Sequence, residues 1–219
     1  MLPLALLALM PLAAVAADKP NSIDKVNGSI DAEAGQVYGS LETVNGGIHI
    51  GAGARTGSAE TVNGGIKVAD SAHSGGLTTV NGGIQLETRV QVDGGIETVN
   101  GGIFVDRGGR VAKDITTVNG AIGLVGTDLA GNIDTVNGDI TVGAGSHVHG
   151  GIKVEKQSMQ WIHFGKHTPP RIVIGPNAIV DGPLVFEREV KLYVNSTARV
   201  GKVSGATPVP YSGDHAPQD

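Results

Sequence analysis

The stretch Thr98-Val99-Asn100-Gly101-Gly102-Ile103 decides the fold, because the same six residues return along the chain at a nearly fixed spacing. The hexad stands intact at 43–48, 61–66, 79–84 and 98–103, with near-copies at 25–30, 117–122 and 135–140. Its asparagines are Asn27, Asn45, Asn63, Asn81, Asn100, Asn119 and Asn137, so successive copies lie 18 or 19 residues apart. That period is too short for a repeat of paired helices. It is the length of one coil of a β-solenoid. Outward from the hexad, Ile103, Val105, Val111 and Ile115 complete one coil, and Ile140, Val142, Val148 and Ile152 another. Ile-x-Val is strict alternation and sends both side chains to one side of a strand. β-branched residues suit a pleated inner surface. The expected fold is all-β: a right-handed, single-stranded parallel β-helix of about nine coils, with three short strands per coil. At a coil rise of ~4.8 Å the rod is on the order of 40 Å long.

In such a rod like residues stack on like. The seven asparagines are expected to form a buried, hydrogen-bonded ladder. Asn-Gly-Gly reads as a corner turned through positive φ. Val80 and Val99 are expected inside, together with Ile84, Ile103 and Ile122.

The period breaks once. Ile172 to Leu184 overlays Ile140 to Ile152 at an offset of 32 residues, which marks an insertion at 153–171 (KVEKQSMQWIHFGKHTPPR). It holds the single Trp of the chain, Trp161. Met159, Trp161, Ile162 and Phe164 are the expected interaction surface, since an apolar loop on a rigid scaffold is a common contact site. The resulting layout is a signal peptide at 1–17, a solenoid at 18–205 and a flexible tail at 206–219. Met1 to Ala17 is uncharged, rich in Leu and Ala, and ends in small residues suited to cleavage after Ala16 or Ala17. No later segment is apolar enough to span a membrane.

Composition narrows the function. Lys+Arg number 16 against 21 Asp+Glu, with no basic stripe along the repeats, so nucleic acid is not an expected partner. Aromatic residues are 3% of the chain, too few for the ring platforms of a carbohydrate groove. There is no cysteine, so an exported chain must hold together by packing and backbone pairing, and no lipid-modified cysteine is available.

No nucleophile elbow, phosphate loop, HExxH or calcium loop occurs, so no catalytic residue, cofactor or metal-ligand set is assigned. Glu42, Glu60, Glu97 and Asp134 precede the hexad threonine. A slot that repeats reads as a solvated edge, whereas a site breaks the repeat. His147 and His149 alternate on one strand and point the same way, with His163 and His167 following in the insertion. They read as surface histidines, with a transition-metal site as the alternative.

These residues carry a resemblance. The TVNGGI coils, with returns such as Gly95-Ile96-Glu97 and Gly39-Ser40-Leu41-Glu42, resemble the bacterial adhesin-like β-solenoid family over residues 25–152. The segment Ile172 to Gly201, with IVIGPNAIVDGPL, is similar to bactofilins, the polymer-forming cytoskeletal proteins. The resemblance implies a solenoid and supplies no catalytic residues. The expected function is that of a non-enzymatic exported envelope protein, periplasmic or at the cell surface. It would be a scaffold or adhesin-like element that self-associates end to end or binds an envelope protein or polysaccharide. A carbohydrate-binding or carbohydrate-cleaving β-helix is the first alternative, and a histidine-dependent metal-binding envelope protein the second.

Overall fold

Each coil opens where an aliphatic residue, a polar spacer and a threonine alternate, as in Ile96-Glu97-Thr98, which forms the strand Ile96–Asn100. The corner glycines Gly101 and Gly102 follow, then the strand Ile103–Val105. A second corner leads to the two-residue strand Arg110–Val111, and the chain returns to the first face at Ile115–Asn119. The computed structural model describes residues 20–156 and 168–218. Across them the strands stack into three parallel sheets of ten, ten and seven strands, about nine turns in all. No helix occurs among the described residues, and so none long and apolar enough to cross a membrane.

The register places like on like. Ile84, Ile103 and Ile122 are neighbours on the second sheet, and Asn81, Asn100 and Asn119 on the first. The core is a column of Ile, Leu, Val and Ala, in which Ile96, Ile103 and Val105 are at most 1% exposed.

The hexad valine faces outward, contrary to the sequence expectation. Val80 and Val99 are 37% and 39% exposed, whereas Thr79 and Thr98 are buried. The phase of the alternation is set two residues before the threonine. Ile96 points in, so Glu97 points out, Thr98 in and Val99 out. A shift of one residue reverses every side chain of a strand. Threonine is accepted inside because its hydroxyl has a partner: Thr98 Oγ1 donates to the carbonyl of Gly82 at 3.0 Å, and Thr79 Oγ1 to that of Gly64 at 2.8 Å.

Most of the hexad-corner glycines serve a different purpose from the one expected. A Cβ on Gly82 or Gly101 would overlap the carbonyl of the corner glycine one coil earlier, Gly64 or Gly82. They are glycine because backbones stack closely there. The next position has more room, and Ser29, Ala121 and Asp139 occupy it in other coils. Positive φ recurs along the corner between the second and third sheets. Gly35, Gly53, Ser71, Arg89, Gly108, Gly126, Gly145 and Asn177 form a column there with φ from 51° to 73°. In the hexad corner Gly28 and Gly120 have it, at 103° and 158°.

Two boundaries are corrected. Lys153 and Val154 lie in the strand Ile152–Val154, and Arg171 opens Arg171–Ile174, so the insertion is narrower than 153–171. The stretch after 205 is ordered in part: Val209–Tyr211 adds a strand to the second sheet beside Lys191–Asn195. Tyr211 is buried, and its hydroxyl donates to the carbonyl of Ile174 at 3.3 Å. The repeat pattern gives no sign of this strand, because its contacts come from an aromatic side chain docked on the last coil. The signal segment 1–17, the interaction residues Met159, Trp161, Ile162 and Phe164, and His163 and His167 lie outside the described residues.

Candidate functional site

Two surfaces stand out from the uniform rod. The first is the outer side of the first sheet. Beyond the column of Glu42, Glu60, Thr78, Glu97, Thr116 and Asp134 runs a stripe of exposed valines: Val26, Val44, Val62, Val80, Val99 and Val118. Beside it the asparagine side chains bond to one another. Asn45 Nδ2 donates to Asn27 Oδ1 at 3.1 Å, and the series continues through Asn63, Asn81, Asn100 and Asn119 to Asn137, each step between 2.9 and 3.1 Å. The ladder is exposed rather than buried, because each asparagine sits where the chain leaves the sheet for the corner. It ends at the insertion, where no further hexad asparagine follows. Arg188 reaches back from two coils on, and its guanidinium donates to Asn137 Oδ1 and to the carbonyl of Val136.

A shallow groove of about 270 Å³ runs between the carboxylate column and the valines, lined by Glu42, Val44, Glu60, Val62, Thr78 and Val80 among others. Of the four carboxylates singled out in the sequence, Glu42 and Glu60 are adjacent, while Thr78 and Thr116 separate Glu97 and Asp134 from the others. Partial burial raises the Asp134 carboxyl above the ordinary aspartate range, and nearby Asp114 and Glu155 add to the effect. A larger depression of about 680 Å³ on the second sheet surrounds Phe104, with Lys67, Gln85 and Thr141 along its floor.

The second surface lies on the third sheet and does break the repeat. His147 and His149 flank the inward Val148, and their ring centroids are 3.9 Å apart. Asp128 is the register neighbour of His147 one coil earlier, and its Oδ1 lies 3.4 Å from His149 Nε2. Asp181, from the following coil, lies 2.7 Å from His147 Nε2 and 3.6 Å from His149 Nδ1. The sequence pointed to the two histidines but not to the carboxylates. Asp128 precedes His147 by 19 residues, one coil, so the repeat period itself carried that signal.

Comparison with known proteins returns no matching family model, no matching curated protein and no matching solved structure.

Proposed function

We propose that the chain is a non-enzymatic scaffold of the bacterial cell envelope that binds through a repetitive lateral face. The observation that carries this reading is the valine stripe running beside the asparagine ladder. Six valines, each more than a third exposed, recur once per coil on a rigid surface, and isolated exposed apolar residues do not form such a line. A face that repeats at ~4.8 Å intervals offers many equivalent contacts to a partner, so weak contacts add along the rod. The leader-like Met1 to Ala17 supports export, and the likeness of the TVNGGI coils to adhesin-like solenoids supports an adhesive role.

The test is fractionation of cells expressing the intact chain beside a Val62→Thr, Val80→Thr, Val99→Thr variant. The expected result is envelope association of the parent and its loss in the variant, with the β-rich circular dichroism spectrum unchanged. Retention of the variant in the envelope would remove the valine face from the proposal. Recovery of the parent in the cytosol would remove the envelope role.

A further inference from the structure

Histidines meet carboxylates at three places on the outer sides of the described sheets, and one place differs in kind. His73 meets Asp93 at 2.7 Å and His49 meets Asp31 at 3.9 Å, each as one ring with one carboxylate. At His147 and His149 two rings share two carboxylates drawn from three successive coils. Equivalent positions in the two preceding coils hold Arg110 and Ala112, then Asp128 and Ala130, so the cluster is local to this place in the rod.

We propose that Asp128, His147 and His149 bind a divalent transition-metal ion of the zinc type, with Asp181 as the carboxylate that orients the rings. One ligand atom from each of the first three residues lies within 4.8 Å of the other two. Zinc–nitrogen and zinc–oxygen bonds of ~2.0–2.2 Å put tetrahedral ligand atoms roughly 3.3–3.6 Å apart. The 3.4 Å between His149 Nε2 and Asp128 Oδ1 already falls in that range. Closing the set therefore needs side-chain rotation and no movement of the strands. Imidazole with carboxylate selects zinc, nickel or copper over magnesium and calcium, which prefer all-oxygen shells. Asp181 stands where a metal-bound histidine usually finds the carboxylate that accepts its second ring N–H. The four side chains are between 34% and 56% exposed, which leaves a path for the ion and room for water to complete its shell. Their backbones belong to, or directly follow, paired strands, so the donors are held in place before the ion arrives.

The experiment uses the intact, untagged chain, so that no tag histidines compete. Zn²⁺ is titrated against a chromogenic chelator, and Co²⁺ absorption reports the coordination geometry. The expected result is one ion per chain, with affinity falling more than about tenfold in His149→Ala and in Asp128→Asn, and about tenfold in Asp181→Asn. His73→Ala and the double variant His163→Ala, His167→Ala should bind as the parent does. Zn²⁺ should raise the melting temperature of the parent and not of His149→Ala, a readout independent of the chelator. Circular dichroism checks that each variant is folded, and His149→Gln replaces His149→Ala if the latter is not. Absence of stoichiometric binding in the parent overturns the proposal. So does undiminished binding in folded His149 and Asp128 variants, or a loss that follows His73, His163 or His167 instead.

Discussion

At Thr98 the rod places a hydroxyl in its interior, and the consequence depends on whether an acceptor is within reach. Thr43, Thr61, Thr79, Thr98 and Thr117 all donate to a corner-glycine carbonyl one coil earlier. Thr135 is equally buried, and its Oγ1 has no partner. Thr98→Val should cost about 1 kcal/mol, since it strands the Gly82 carbonyl. Thr135→Val, which removes an unsatisfied hydroxyl, should be neutral or stabilising. Urea denaturation decides the matter, and equal losses at the two sites would contradict it. The outward turn of the valine is tested in the same way. Ile103, 1% exposed, should cost about 2–5 kcal/mol when cut to Ala. Val99→Ala should stay within roughly 0.5 kcal/mol of the parent, as a surface change does. Asp134 gives a pH dependence. Its carboxyl is raised in the folded chain by burial first and by Asp114 and Glu155 next, so the fold holds the proton to higher pH than the unfolded chain does. That contribution favours the fold at low pH and is lost as pH rises from the unfolded value through the raised folded one. Asp134→Asn should therefore be more stable than the parent above this window and equal to it below. A stability difference that does not change with pH would rule out this account.

At the scale of the element, two of the three corners of a coil use glycine for separate reasons. In the corner after the first sheet, Gly82 makes room for the Gly64 carbonyl of the coil before it. In the corner after the second sheet, Gly53 has φ +66° and open space where a Cβ would go. Gly53→Ala should cost roughly 1 kcal/mol, the strain of a left-handed alanine. Gly82→Ala should cost more, about 3 kcal/mol, because the obstacle is a backbone atom that cannot step aside. Thermal melts of the two variants test the order, and the reverse ranking would mean that the first corner is loosely packed. Ser71 and Arg89 hold the same left-handed position without glycine. Arg89 Nε donates to Ser71 Oγ at 3.2 Å, a bond between two adjacent members of the column.

For the whole molecule, the two ends are unlike. Among the described residues the strand Asn21–Asn27 is the outermost of the first sheet on the N-terminal side, and nearly all of it is exposed. The other end is covered by the segment that includes Val209–Tyr211. Asn195 Nδ2 donates to the Gly213 carbonyl, and the Arg171 guanidinium to that of Pro217. Pro210 within that final strand has no N–H to offer, which blunts the edge against a further strand. Deleting 207–219 should thus expose the edge of Lys191–Asn195 and free the Ile174 carbonyl of its Tyr211 partner. Sedimentation velocity should then show association that grows with concentration in the truncated chain relative to the intact one. Identical sedimentation of the two would mean that the tail is no cap.

The sequence by itself determined the period, and with it the coil, the parallel pairing and the stacking of asparagine on asparagine. A residue type that returns every 18 or 19 positions can only meet its copies one coil apart. It did not determine which of Thr98 and Val99 faces the core. Both are β-branched, and the phase comes from Ile96 and from a carbonyl of the neighbouring coil that the hydroxyl must reach. The period set Asp128 one coil from His147, but it did not show that Asp128 and Asp181 would bond the rings, nor that Tyr211 would dock under the last coil. Those contacts join non-identical residues in different coils, and only stacking brings them within bonding distance.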